Sequence, residues 1–117
     1  MCDQLRADLM GRDGYPVETM PCTNALARQG TWFDRAYTPA PASGPARVAM
    51  LTGRFPSATH ARTNHNIEDA LYTKDLFDVA RENGYKTALV GKNHSHMTTA
   101  KADYWDEYGH TGKIGRD

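Results

Sequence analysis

The residues with the greatest chemical capacity in this sequence lie in one stretch, 43–54, which reads Ser-Gly-Pro-Ala-Arg-Val-Ala-Met-Leu-Thr-Gly-Arg and follows the stiff run 38–42, Thr-Pro-Ala-Pro-Ala. Ser43 offers a hydroxyl nucleophile, and Arg47 a planar cation four residues on. The two prolines of the approach hold it extended, and Pro45 falls in a first helical turn, where a missing N–H is tolerated. The pattern predicts a short helix with Ser43 as N-cap and an end near Gly53. A helix N-terminus presents unpaired backbone N–H groups and the positive end of the dipole, which favours a tetrahedral anion such as phosphate or sulfate. Residues four apart share a helix face, so Arg47 can clamp the same anion. A capped surface helix with a solvated arginine has the same spacing, and the stretch by itself does not choose between the two.

A second group of polar residues follows the short apolar run 85–90, which reads as a parallel strand covered on both faces. Strand side chains alternate, so Lys92 and His94 face one site if the extended geometry persists past Gly91, and His96 would share that face. Between the two groups, the loop-like run 55–66 holds His60, Arg62, Asn64 and His65.

Together these stretches resemble the signature of the sulfatase family, in which Cys or Ser is followed by x-Pro-x-Arg and, after a short apolar run, Thr-Gly-Arg. Ser43, Pro45, Arg47, Thr52, Gly53 and Arg54 stand at the matching positions. Residues 2–8, Cys-Asp-Gln-Leu-Arg-Ala-Asp, resemble the family's opening metal-binding segment, and residues 84–94 resemble its strand ending in Gly-Lys-x-His. The resemblance covers about residues 3–94 and rests on three motifs in the right order.

It implies an α/β fold of the alkaline-phosphatase-like kind, a mostly parallel sheet flanked by helices. Residues 1–117 would be the N-terminal portion of the catalytic domain, without its first strand and C-terminal part. The implied activity is hydrolysis of a sulfuric ester, by a formylglycine made from Ser43 and a bound calcium ion. A serine at this position implies maturation by the bacterial, radical-type enzyme. Asp3 and Gln4 would hold one side of the calcium, and the other side would come from residues much later in such chains. Lys92 would neutralise sulfate oxygens, His94 would orient or deprotonate the nucleophile, and Arg47 would steady nucleophile and metal. The loop after the nucleophile helix makes His60 and Asn64 candidate substrate contacts. With the remaining metal ligands and the general acid beyond its end, the chain alone is expected to be inactive.

The sequence departs from the family pattern at three places. Gln4 replaces a second Asp and contributes a carbonyl oxygen but no charge, Ala46 stands where Ser is common, and Ser43 replaces the more frequent Cys. Two alternatives stay open. One is a phosphomonoesterase or phosphodiesterase of the same superfamily with Ser43 unmodified and a transition metal, because Arg47 and Lys92 would clamp phosphate equally well. The other is a truncated gene product without function.

Composition narrows the partners. Lys plus Arg and Asp plus Glu are both 14, so no charge excess points to nucleic acid or a membrane surface. No apolar run approaches the roughly 20 residues that span a bilayer. No signal peptide is visible, and any such segment would lie ahead of Met1, which leaves bacterial cytoplasm and periplasm both open. Cys2 and Cys22 are too few for a disulfide framework and fit no zinc pattern.

The supporting elements follow from local signals. A helix is expected over 20–29, capped by Thr19, stopped by Gly30, with Cys22, Ala25 and Leu26 buried. Residues 31–37 read as a short strand whose Trp32, Phe33 and Tyr37 pack in the core. A second helix is expected over 71–83 with Thr73 as N-cap and Gly84 as stop. Arg6 and Asp8 read as a surface ion pair, and the tail 98–117 has no strong period.

Overall fold

The computed structural model describes residues 5–11 and 14–107. Asp3 and Gln4 therefore lie outside the described residues, as does the tail beyond residue 107. The chain divides into two compact units, Met1–Ala36 and Tyr37–Asp117.

The first unit contains a 3-10 turn, Ala7–Leu9, and helix α1, Pro21–Gln29. Arg6 and Asp8 form the expected ion pair, with side chains 74 % and 62 % exposed. Pro21 starts α1 with a φ already suited to a helix, and the Gly30 N–H closes it on the Leu26 carbonyl at 2.9 Å. Met20 takes the N-cap position expected of Thr19, whose hydroxyl donates instead to the Leu9 carbonyl at 2.6 Å. The buried face differs from the expected one. Leu26 is 69 % exposed and Cys22 is exposed, whereas Asn24 is buried. Its amide donates to the Glu18 carboxylate, which lowers the cost of turning a polar residue inward.

No strand forms over 31–37; the chain turns at Asp34 and Arg35, and Phe33 and Tyr37 are exposed. Strand propensity needs a neighbouring strand to be realised, and among the described residues none pairs with this run.

The second unit holds α2 (Ser43–Thr52), α3 (Pro56–Thr59), α4 (Leu76–Glu82), β1 (Ala88–Gly91), a 3-10 turn (Thr99–Lys101) and β2 (Tyr104–Glu107). α2 packs against α3 and α4. Val48 of α2, with Ala61 and Ile67 from the segment after α3, forms a small core that Ala70 extends. Gly53 ends α2 in the left-handed conformation (φ 67°), as its position in the sequence predicts. α4 begins later than expected because Asp75 competes successfully with Thr73. Asp75 Oδ1 accepts from Phe77 N and Asp78 N, while Asp78 Oδ2 accepts from Asp75 N, a capping box built from two aspartates.

β1 and β2 pair in parallel, with Ala88 opposite Tyr104 and Gly91 opposite Glu107. Asp103 staples the strand starts: its Oδ2 accepts from Thr87 N (2.9 Å) and Thr87 Oγ1 (3.1 Å). β1 alternates exposed and half-buried residues and leaves Val90 exposed, so it is not covered on both faces. Helices with a small parallel sheet are compatible with the expected α/β class. Parallel strands require a crossover of a dozen or so residues, and residues 92–103 provide it. That crossover leaves the carboxyl end of β1, where open α/β sheets gather their ligands. Among the described residues no helix is long and apolar enough to cross a membrane.

Candidate active site

Two segments meet at the site, the first turns of α2 and the crossover that leaves β1. The first helical hydrogen bond of α2 runs from Ala46 N to Ala42 O (3.1 Å), so Ala42 is the N-cap and Ser43 already lies in the helix. This shifts the predicted cap by one residue. Had Ser43 been the cap, one of the two N–H groups it could serve would belong to Pro45, which has none. The Gly44 N–H is instead satisfied from outside the helix by Asn64 Oδ1 at 2.9 Å. Ser43 Oγ makes no capping bond to its own helix and lies 2.8 Å from His94 Nδ1.

Arg47, one turn further on, is buried, and its Nη1 donates to the Lys92 carbonyl at 2.8 Å. α2 thus holds the crossover at two points, Arg47 on Lys92 and Ser43 on His94. Strand alternation is not what brings these residues together. Gly91 has φ 87° and His94 φ 40°, so the chain leaves extended geometry where β1 ends. A left-handed histidine carries a backbone cost of about 1 kcal/mol, which neighbouring contacts must offset. The turn supplies them: Asn93 Nδ2 donates to Met97 O (2.9 Å), Ser95 Oγ to Asn93 Oδ1 (2.6 Å), and Met97 N to Ser95 Oγ (3.2 Å).

The other candidates sit as follows. Lys92 is half-buried at the start of the crossover. Asn64 uses its side-chain oxygen as the cap of α2, a structural task that no local sequence signal announces. His60 is the exposed, left-handed C-cap of α3 (φ 62°), and its carbonyl accepts from Asn66 Nδ2 at 2.7 Å. His96 does not share a face with Lys92 and His94. Its ring is buried against Tyr72 and Asp75, and only the His-x-His spacing drew attention to it. Among the described residues no three His, Cys, Asp or Glu side chains converge as a metal site.

The Ser43–His94 contact can move a proton. With Nδ1 unprotonated, Ser43 Oγ–H donates to it and the ring is placed to take the proton; as imidazolium, Nδ1–H donates to Oγ. The α2 N-terminus lends positive potential to any negative charge that develops on that oxygen, with Arg47 one turn away. The arrangement pairs a hydroxyl with an imidazole at a helix N-terminus, groups that could handle an anion.

Comparison with known proteins shows the family to which the chain belongs. The family model for the sulfatase domain matches residues 1–113. Arylsulfatase K of Xenopus laevis is 32% identical over 104 residues, covering 86% of this chain and 19% of that protein. The human arylsulfatase K is 31% identical over 107 residues (88% and 20%), and an arylsulfatase of Clostridium perfringens 31% over 97 residues (80% and 20%). No solved structure matches. The chain belongs to the sulfatase family and spans about a fifth of the length of these relatives.

Proposed function

We propose that this chain carries the nucleophile end of a sulfuric ester hydrolase, as the N-terminal portion of its catalytic domain. The observation that supports the reading best is the 2.8 Å contact between Ser43 Oγ and His94 Nδ1, at the head of a helix bearing the x-Pro-x-Arg signature. Formylglycine at position 43 supplies a nucleophile that can be regenerated without a second attack at sulfur, which plain serine cannot. His94 holds or removes the proton on the oxygen of residue 43. Arg47 ties the helix to the crossover and adds positive charge near the anion. The Lys92 ammonium neutralises sulfate oxygens, and His60 and Asn64 lie on the loop that would meet the ester's other half. Asp3 and Gln4 are the candidate calcium ligands. Among the described residues no three His, Cys, Asp or Glu side chains converge to complete that site. The maturase would be of the radical type that acts on serine. Aryl sulfates are the first substrates to try, because the matched relatives are named arylsulfatases.

A second reading rests on the same contact, since a histidine paired with unmodified Ser43 would also activate it toward a phosphate ester. Peptide mass of the parent protein, co-expressed with a radical-type maturase, separates the two. The sulfatase reading expects the Ser43 peptide to be lighter by one hydrogen molecule and the protein to turn over an aryl sulfate. An unmodified peptide with phosphatase activity would overturn it.

A further inference from the structure

We propose that His96, braced by Asp75 and Lys101, is a positioning residue that fixes the turn carrying His94 and so maintains the Ser43–His94 pair. The proposal rests on the sulfatase reading for its catalytic consequence only; the geometry stands separately. The turn is anchored before His94 by Arg47, which donates to the Lys92 carbonyl, and after it by His96. The His96 side chain is 1% exposed and the Asp75 side chain 0%, with His96 Nε2 3.6 Å from Asp75 Oδ2. Lys101 closes the cluster from the 3-10 turn, its Nζ 3.0 Å from Asp75 Oδ2 and 2.8 Å from Asp78 Oδ1. The Tyr72 ring lies against His96, with centroids 4.5 Å apart, and 5.2 Å from Lys101 Nζ. Among the described residues, Tyr72, Asp75, Asp78 and Lys101 are the polar and charged groups that act on His96, drawn from the N-terminus of α4, the segment before it and the crossover itself.

The cluster is costly as simple packing. Among the described residues the only polar partner within reach of the His96 ring nitrogens is Asp75, 3.6 Å from Nε2 and beyond normal hydrogen-bond length, and burial holds the His96 pKa below the ordinary value against the raising pull of Asp75. An aromatic or aliphatic side chain would fill this space without that penalty, so an imidazole here calls for a task. The task that the geometry offers is registry. Asp75 is fixed by capping α4, its second oxygen faces His96, and His96 lies two residues beyond the left-handed His94.

The test reads the ring nitrogens of His94 by long-range 1H–15N NMR in the 117-residue chain. Asp75→Asn keeps an oxygen to cap α4 but removes the charge facing His96; His96→Phe keeps the ring volume; His96→Gln keeps a donor. Ser43→Ala marks the signal of His94 without its Ser43 contact. We expect D75N and H96F to move the His94 Nδ1 resonance toward its S43A position, with unchanged far-UV circular dichroism, and H96Q to restore it in part. His94 signals that superimpose on wild type in D75N and H96F would overturn the proposal, and so would S43A leaving them unmoved. Should H96F fail to fold, D75N decides; unfolding of both would make the cluster structural and overturn the assignment. These outcomes are independent of the chemistry at residue 43, so an unmodified Ser43 with His94 shifts as expected would refute the sulfatase reading alone.

Discussion

Gly44 allows the sharpest calculation. A Cβ at this position would lie 2.6 Å from Ile67 Cγ2 and 3.0 Å from Asn64 Oδ1. Carbon atoms pack best at about 3.5–4.0 Å, so Gly44→Ala forces a displacement of about 1 Å. Ile67 is buried and β-branched, which leaves it few rotamers in which to yield. Overpacking of this kind costs about 1–3 kcal/mol, and the gain in helix propensity from glycine to alanine offsets about 0.5–1 of it. The net expectation is a loss of about 1–2 kcal/mol, or a melting temperature lower by about 4–10 °C for a chain of this size. Thermal melts followed by circular dichroism would measure it, with Ile67→Ala and the double variant completing a cycle. The double variant should lose less than the sum of the single changes, because removing Cγ2 makes room for the new methyl. If G44A melts at or above wild type, helix propensity outweighs the contact and glycine is not required there by Ile67.

Three further outcomes are expected. Arg47→Lys should cost about 1–3 kcal/mol in the same melts, since a charged, part-buried hydrogen bond from the guanidinium to a carbonyl is lost, and an unchanged midpoint would refute that weight for the Arg47–Lys92 contact. Acid should destabilise the fold in two stages. His96 sits below its ordinary 6.5 because of burial, so the unfolded chain binds its proton first and stability falls as pH drops below that value; Asp103, lowered by the N–H and hydroxyl of Thr87, and Asp78, lowered by Lys101, add a second loss as pH falls below 3.8 through their folded values. A melting temperature constant from neutral pH to pH 5, or a His96→Phe variant that keeps the first stage, would contradict this. Finally, the 117-residue chain alone should not hydrolyse an aryl sulfate, and in the matured parent Ser43→Ala should lower kcat by at least about 10³-fold; turnover by the chain alone, or by S43A, would refute the assignment.

What could be read from the sequence follows the range of the interactions involved. α2 and its end at Gly53 were legible because proline and glycine act within a turn, and the bounds of α1 for the same reason. Local signals leave the start of α4 open because Thr73 and Asp75 are both competent caps; Asp75 wins through the reciprocal contact with Asp78. β2 was invisible, since its only described strand partner is β1, across the crossover, and its own residues show no alternation. The failed strand at 31–37 is the converse, a run with strand propensity and no partner among the described residues.

At the candidate site, resemblance singles out Ser43, Arg47, Lys92 and His94, and the structure brings them together, but not for the reason that periodicity supplies. An extended continuation of β1 would have set Lys92 and His94 side by side. The left-handed turns at Gly91 and His94 instead fold the crossover back on α2, so that Lys92 contributes a carbonyl to Arg47 while His94 contributes its ring to Ser43. A carbonyl contact is silent in a sequence, because any residue type can make it. It nevertheless has a consequence for the geometry of the site. Arg47 holds the crossover through a backbone oxygen two residues before His94, so replacing Arg47 should loosen the turn that sets the Ser43–His94 contact.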